Sequence, residues 1–147
     1  MNICFICTGN TCRSPLAEGI LKSKRLAGIS VRSAGVYATE GARISDHSRV
    51  ILEEHGMPVT PASRYFTEQD MEWADLILTM TKSHRDTLRY AFTEGAGKIF
   101  TLKEYVGATQ FDVQDPYGGS LGDYQRTFEE LSEQIDVLAR KLMGEQR

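Results

Sequence analysis

The feature that most constrains this chain is a short apolar segment near its start that ends abruptly in a polar loop. Residues 3–6 (ICFI) are apolar, and the loop that follows at residues 7–13 (CTGNTCR) is polar and contains a glycine. Ser14 is a favoured helix-capping residue, and Pro15 suits the first helical position, where its missing N–H costs nothing. The pattern predicts a buried strand, a tight loop and a helix N-terminus, with Cys7 at the end of the strand.

Apolar strand segments and helical segments alternate along the rest of the chain. The predicted segments, in order, are a helix to about Gly28, a strand at 29–34, a helix at 46–55, a strand at 76–80, a helix at 81–92 and a strand at 98–102. The buried face of a last helix is predicted to consist of Tyr124, Phe128, Leu131, Ile135, Leu138 and Leu142. Between these segments, residues 103–122 are predicted to be irregular, and long loops of that kind are usually functional.

This alternation is typical of an α/β protein. Continuous apolar strands joined through helices form a parallel sheet that is covered on both faces. We therefore predict a three-layer αβα fold in a single domain of residues 1–147. Ligands bind such sheets at the carboxyl ends of the strands, which is where Cys7 is expected.

Charge and hydropathy exclude several classes of partner. The formal net charge of −3 gives no general attraction to nucleic acid, and no apolar run is long enough to span a membrane. Neither nucleic acid nor a membrane is therefore expected as a partner. The N-terminus lacks a basic region followed by a small-residue cleavage site, so we expect a cytoplasmic location.

The three cysteines, Cys4, Cys7 and Cys12, all lie in the N-terminal segment. An odd number crowded into one loop is not the disulfide framework of a secreted protein. The histidines, at positions 47, 55 and 84, do not have the spacing of zinc ligands relative to a cysteine pair. No metal and no cofactor are expected.

The loop itself has the composition of an anion site that contains a nucleophile. A helix N-terminus offers free N–H groups and the positive end of the helix dipole, which suit a phosphate and also favour a cysteine thiolate. The guanidinium of Arg13 can bind two phosphoryl oxygens at once. Gly9 would let the backbone turn its N–H groups inward, and Asn10 tolerates a positive φ. An ATP-type phosphate loop is excluded, because its Gly-Lys-[Ser/Thr] ending is absent.

A reaction in which Cys7 accepts a phosphoryl group also requires an acid for the leaving group. Asp115 is the favoured candidate, because it lies in the glycine-containing loop and precedes a proline that restricts its backbone. Asp112 is the alternative. Tyr117, close to Asp115, would either stack on a flat substrate or cover the loop.

Together, CTGNTCRSP at residues 7–15 and the late Asp115-Pro116-Tyr117 strongly resemble the low-molecular-weight protein-tyrosine-phosphatase family. The resemblance extends over essentially the whole chain, including Ser33-Ala34-Gly35. It implies a twisted four-stranded parallel sheet with flanking helices. It also implies that Cys7 is the nucleophile, Arg13 binds the phosphoryl group and Asp115 is the acid. The implied substrate-binding residues are Thr8, Gly9, Asn10, Thr11, Cys12, Arg13 and Ser14, of which Ser14 supports the thiolate and Asn10 holds the loop.

Within the family, the chain resembles the bacterial branch of protein arginine phosphatases, which carry threonine at the position of Thr11. Many tyrosine-specific members carry a large aliphatic residue there. The first hypothesis is therefore a phosphatase acting on phosphoarginine in proteins, as the counterpart of a protein arginine kinase. The second is the same chemistry on phosphotyrosine. A monomer is expected. Eukaryotic members have a histidine near the position of Pro61 and an aspartate at that of Thr81, so their supporting hydrogen bonds do not transfer.

Two further possibilities concern the cysteines. Cys12 would either pack in the core or form a disulfide with Cys7, as it does in some relatives, and so protect the nucleophile from irreversible oxidation. Arsenate reduction uses the same fold and loop but needs further redox cysteines downstream, and none follows Cys12. A simple anion-binding module would have no use for Cys7 or Asp115.

Overall fold

A computed structural model of the protein describes residues 1–145. The strands are β1 (Asn2–Cys7), β2 (Ser30–Gly35), β3 (Leu76–Thr79) and β4 (Ile99–Thr101). The helices are α1 (Arg13–Ser23), α2 (Asp46–Glu54), α3 (Glu68–Trp73), α4 (Lys82–Ala91), α5 (Leu102–Tyr105) and α6 (Leu121–Glu145), with a 3₁₀ segment at Thr93–Lys98. In the described part of the chain the strands form one four-stranded parallel sheet in the order β2-β1-β3-β4, which confirms the predicted fold.

The central strand β1 separates two apolar layers, because successive side chains of a strand point to opposite faces of the sheet. Phe5 packs in the larger cluster with Leu16 of α1 and Leu131 of α6. Ile6 packs on the other face with Leu88 of α4. The sheet is therefore covered on both sides, and the carboxyl end of β1 lies at the centre of its edge.

The helix that follows the loop differs from the prediction at both ends. It begins at Arg13 with Cys12 at the N-cap position, so Ser14 is not the cap and Pro15 is not the first helical residue. It ends at Ser23 rather than near Gly28, because Arg25 adopts a left-handed conformation with φ 50°. Ser14 therefore lies inside the first turn, where its hydroxyl is directed into the protein.

The long stretch at residues 103–122 is less irregular than predicted. It opens with α5, a short helix with a capping box in which Thr101 and Glu104 bond each other's backbone N–H groups. The rest is irregular up to α6. The predicted apolar stripe of α6 is confirmed, since its six residues are all buried: Tyr124, Phe128, Leu131, Ile135, Leu138 and Leu142.

Candidate active site

The loop between β1 and α1 is held by backbone hydrogen bonds from outside it. The carbonyl oxygens of Cys7, Thr8 and Thr11 accept from the N–H groups of residues 36, 37 and 45, at 3.1, 3.0 and 2.9 Å. Because these oxygens are occupied by partners outside the loop, its N–H groups are the backbone groups available to an anion at the start of α1. The loop predicted to bind phosphate, called the cradle below, is thus held in place by the rest of the fold.

A cavity of about 220 Å³ opens over this loop. It brings together residues of the cradle and of the distant acid-bearing loop: Cys7, Thr8, Gly9, Thr11, Cys12, Arg13, Asp115 and Tyr117. Asn10 and Ser14 are fully buried behind the cavity, so their side chains support the loop rather than face a ligand.

Behind the cavity, hydrogen bonds connect Cys7 to Asn10. Ser14 Oγ lies 2.8 Å from Cys7 Sγ, and Asn10 Nδ2 donates to Ser14 Oγ at 2.8 Å. Asn10 Oδ1 accepts from the backbone N–H of Arg64 at 2.9 Å, which determines the orientation of the amide. Since Ser14 Oγ accepts from Asn10, its own proton is available to Cys7, and this bond stabilises the thiolate.

The second N–H of the same amide leads to a buried carboxylate that the sequence interpretation missed. Asn10 Nδ2 donates to Ser33 Oγ at 2.9 Å, and Ser33 in turn donates to Glu18 Oε1. Thr60 also donates to Glu18 Oε1, at 2.9 Å, and Glu18 is only 5% exposed. The available signal was that Glu18 lies one turn after Ser14, on the same side of a helix.

The backbone of the cradle requires the unusual conformation at Asn10 and not at Gly9. Asn10 has φ 56°, as predicted from its tolerance of this region. Gly9 is not among the described glycines with positive φ, and a Cβ there would meet only Thr11 Oγ1, at 3.6 Å. The conformational role expected of Gly9 is therefore not needed in this structure.

Arg13 and Asp115 face each other across the cavity. Arg13 is buried, and its Nη1 donates to the carbonyl of Val113 at 3.0 Å, which leaves Nη2 3.6 Å from Asp115 Oδ2. The Asp115 side chain is 52% exposed. Asp112, the alternative acid, does not line the cavity, because its Oδ1 accepts from the backbone N–H of Lys82 at the start of α4. The geometry favours Asp115.

A histidine that the sequence analysis considered only as a zinc ligand lies against the cradle. His84, in the first turn of α4, is only 6% exposed, and its Nε2 lies 2.8 Å from Thr8 Oγ1. Burial and the nearby Arg13 guanidinium lower the pKa of His84 to about 4. The signal in the sequence was its place just after the strand that neighbours β1.

The other two cysteines differ in their surroundings. Cys4 is completely buried, and burial raises the pKa of its thiol, as expected for a core residue. Cys12 lines the cavity beside Cys7, and its Sγ lies 3.4 Å from the hydroxyl of Tyr124. Burial raises the pKa of Cys12 too, so it is held as a neutral thiol next to Cys7.

Two absences are clear in the described part of the chain, residues 1–145. No group of three or more histidine, cysteine, aspartate or glutamate side chains there is arranged to hold a metal ion. No helix in this range is long and apolar enough to cross a membrane.

Comparison with known proteins identifies the family of the chain. Residues 2–147 match the family model described as low molecular weight phosphotyrosine protein phosphatase. The chain belongs to the low molecular weight phosphotyrosine protein phosphatase family. This confirms the resemblance inferred from the loop motif and the late Asp-Pro pair, and with it the class of enzyme.

Members of this family with solved structures superpose closely on the chain. The YwlE arginine phosphatase from Geobacillus stearothermophilus is 43% identical, with a TM-score of 0.95 over 99% of this chain and 94% of that one. A cysteine-to-serine mutant of YwlE arginine phosphatase, solved with its active-site serine phosphorylated, is 42% identical. Its TM-score is 0.93, over 97% of this chain and 96% of that one.

Sequence identity alone does not separate the substrates within the family. The low molecular weight protein-tyrosine-phosphatase PtpB from Staphylococcus haemolyticus is 44% identical over 131 residues, which cover 89% of this chain and 92% of that protein. This value matches the identity to the arginine phosphatase. The preference for phosphoarginine or phosphotyrosine therefore depends on the residues of the cavity and not on overall identity.

Proposed function

We propose that this protein is a protein phosphatase that hydrolyses phosphoarginine in proteins, with Cys7 as nucleophile and Asp115 as general acid and base. The observation that carries the proposal is the meeting of Cys7, Arg13 and Asp115 in one cavity whose wall includes Thr11. The similarity to YwlE arginine phosphatase supports it.

In the first step, the Cys7 thiolate attacks the phosphorus atom, a P–S bond forms and the P–N bond to arginine breaks. Arg13 and the loop N–H groups bind the phosphoryl oxygens and stabilise the charge that they gain in the transition state. Asp115 transfers its proton to the departing guanidino nitrogen, which takes the electron pair of the P–N bond, so arginine leaves as its guanidinium cation. Nitrogen is a poor leaving group, so this proton is important.

In the second step, Asp115, now a carboxylate, takes a proton from a water molecule. The water oxygen attacks phosphorus, the P–S bond breaks, and inorganic phosphate and the Cys7 thiolate are released. Asp115 is half exposed, so water can reach it. It also lies beside Arg13, which binds the phosphoryl group, so its carboxyl is close to the reacting bond. The relative with a phosphorylated active-site serine supports covalent transfer to the residue at the floor of the cradle.

Thr11 is the basis for preferring arginine to tyrosine. Its side chain is small and carries a hydroxyl at the cavity wall, where a large aliphatic residue would pack against an aromatic ring. A hydroxyl can instead make a polar contact with a guanidinium. Phosphotyrosine in proteins is the second candidate substrate, favoured by the family's description and by the similarity to PtpB.

The remaining features of the proposal follow from this substrate. The enzyme would reverse the action of a protein arginine kinase, in the cytoplasm, as a monomer and without a cofactor. The negative overall charge is in keeping with protein substrates rather than nucleic acid.

The test is kcat/KM of the purified protein on a phosphoarginine peptide and on a phosphotyrosine peptide of the same flanking sequence. We expect the phosphoarginine peptide to be the better substrate. Cys7→Ser is the control, and it should lose turnover but still bind inorganic phosphate. A preference for the phosphotyrosine peptide would establish the second candidate, and substantial turnover by Cys7→Ser would remove Cys7 as the nucleophile.

A further inference from the structure

The first residue of the cradle after the nucleophile, Thr8, is exposed at the cavity, yet its hydroxyl is held from behind by a buried side chain. Thr8 Oγ1 lies 2.8 Å from Nε2 of His84, which is only 6% exposed. The α4 residue at the N-cap position, Thr81, in turn accepts from the backbone N–H of His84. The imidazole is therefore firmly placed, and Thr8 is the one cavity residue that it contacts by hydrogen bond in the described part of the chain.

The direction of this hydrogen bond depends on which ring nitrogen carries the proton. His84 Nδ1 is buried and has no hydrogen-bond partner among the described residues. A buried N–H without an acceptor is rarer in proteins than an unsatisfied acceptor. The tautomer with its proton on Nε2 is therefore favoured, and in it Nε2–H donates to Thr8 Oγ1.

The charges around His84 keep the ring neutral. Burial disfavours a second proton most strongly and Arg13 adds to this effect, whereas Asp112 and Asp115 oppose it. The balance lowers the pKa of His84 to about 4, so the ring has a single proton at neutral pH. With that proton on Nε2, the Thr8 oxygen accepts, and its own hydrogen is free to point elsewhere.

We propose that His84 is a positioning residue that makes the Thr8 hydroxyl a hydrogen-bond donor to a phosphoryl oxygen bound in the cradle. With the opposite tautomer, Thr8 would donate to His84 and present only lone pairs to an anion, which would repel it. This role rests on the proposed phosphatase function, to which it adds one donor beside Arg13 and the loop N–H groups. Its effect is expected on every phosphorylated substrate equally, because it acts on the phosphoryl group and not on the leaving group.

A double-mutant cycle tests this coupling. Thr8→Val removes the hydroxyl at an exposed site and keeps the shape of the side chain, and His84→Phe removes the ring N–H with a similar volume. Each should weaken the binding of inorganic phosphate and lower kcat/KM on a phosphoarginine peptide by about 3- to 10-fold, as for the loss of one hydrogen bond. The double mutant should bind phosphate as well as the more impaired of the two single mutants, and its kcat/KM should be no lower than that of this single mutant. Effects that multiply would overturn the proposal, since they would show that His84 acts independently of Thr8.

The matched control is His55→Phe, the same substitution in a histidine at the end of α2, where the ring packs on Phe128. It should leave phosphate binding and kcat/KM unchanged. The phosphate arm does not depend on turnover. If the protein hydrolyses neither peptide, the proposed function is contradicted, and phosphate binding still measures the coupling between His84 and Thr8.

The tautomer is tested directly by long-range ¹H–¹⁵N NMR of the histidine rings at neutral pH. We expect the His84 Nε2 signal to be that of a protonated nitrogen and the Nδ1 signal that of a bare one. The reverse assignment would overturn the proposal, and a purely structural role for His84 would not require either form.

Discussion

Cys7 Sγ and Ser14 Oγ lie 2.8 Å apart, and because the serine oxygen already accepts from Asn10, its hydroxyl proton is free to donate to the sulfur. The amide orientation that imposes this direction is set in turn by the backbone N–H of Arg64. A thiolate accepts this proton much more strongly than a neutral thiol, whose sulfur is only a weak acceptor. A neutral hydroxyl is thus used to stabilise a negative sulfur.

Ser14→Ala should slow the alkylation of Cys7 by iodoacetamide at pH 6 by about tenfold, because a hydrogen bond to a charged group is worth roughly 1.5–3 kcal/mol. The rate is measured as loss of activity over time. Ser23→Ala, at the end of the same helix, is the control, since its hydroxyl donates to the carbonyl of Ile20, away from the cavity. Equal alkylation rates in Ser14→Ala and the wild type would exclude Ser14 as a support of the thiolate.

Asp115→Asn should lower kcat on a phosphoarginine peptide by about 10²–10⁴-fold, as for the loss of a general acid. Asp112→Asn is the matched control, because Asp112 is held by the N–H of Lys82 and does not line the cavity. It should keep most of the activity. A larger loss in Asp112→Asn than in Asp115→Asn would exchange the two assignments.

Thr11→Ile should shift the ratio of kcat/KM for phosphoarginine and phosphotyrosine peptides towards phosphotyrosine. The larger apolar side chain replaces a hydroxyl at the cavity wall and gives an aromatic ring a surface to pack against. Thr109→Ile, at an exposed position outside the cavity, controls for the added volume. If the ratio stays constant in Thr11→Ile, the basis of the specificity lies elsewhere.

Cys12→Ser should make inactivation by hydrogen peroxide irreversible. In the wild type, peroxide oxidises the Cys7 thiolate to a sulfenic acid, which condenses with the neutral Cys12 thiol to a disulfide and releases water. Dithiothreitol then restores activity. In Cys12→Ser the sulfenic acid is oxidised further, so recovery after reduction should be small. Full recovery in the variant would show that Cys12 is a packing residue.

His84 should make the protein less stable as the pH falls from about 6.5 to about 4. In this window the unfolded chain binds a proton at His84 and the folded protein does not, because burial and Arg13 lower the pKa of His84 to about 4 in the folded state. The free energy of unfolding of the wild type relative to His84→Phe should therefore decline with falling pH in urea denaturation. A difference that is constant over this range would contradict a lowered pKa.

The fold and the inner part of the site could be predicted because they depend on local patterns. The apolar strands and the α6 stripe follow from periodicity, and Cys7, Arg13 and Asp115 follow from the loop motif and the late Asp-Pro pair. The start of α1 was predicted two residues late, because the loop leads directly into the helix and Arg13 and Ser14 already belong to its first turn.

The residues that support the site could not be found in this way. Glu18 and His84 act through partners that are distant in sequence, Ser33 for Glu18 and Thr8 for His84, and helix periodicity alone does not identify those partners. Both are buried polar side chains whose partners become known only when the sheet is assembled. Their roles depend on hydrogen-bond direction, which requires coordinates for every neighbour.

The close approach of Gly35 to the cradle limits how this enzyme can diversify. A Cβ on Gly35 would lie 2.4 Å from the carbonyl oxygen of Thr8 and 2.9 Å from the backbone nitrogen of Asn10, which leaves no room for any side chain. The rear of the proposed phosphate pocket therefore has no space for a larger residue at this position. New substrates can therefore be accommodated only by changes at the mouth of the cavity, at Thr11 and Tyr117, so changes of specificity should accumulate there while the back of the loop and the proposed acid, Asp115, stay constant.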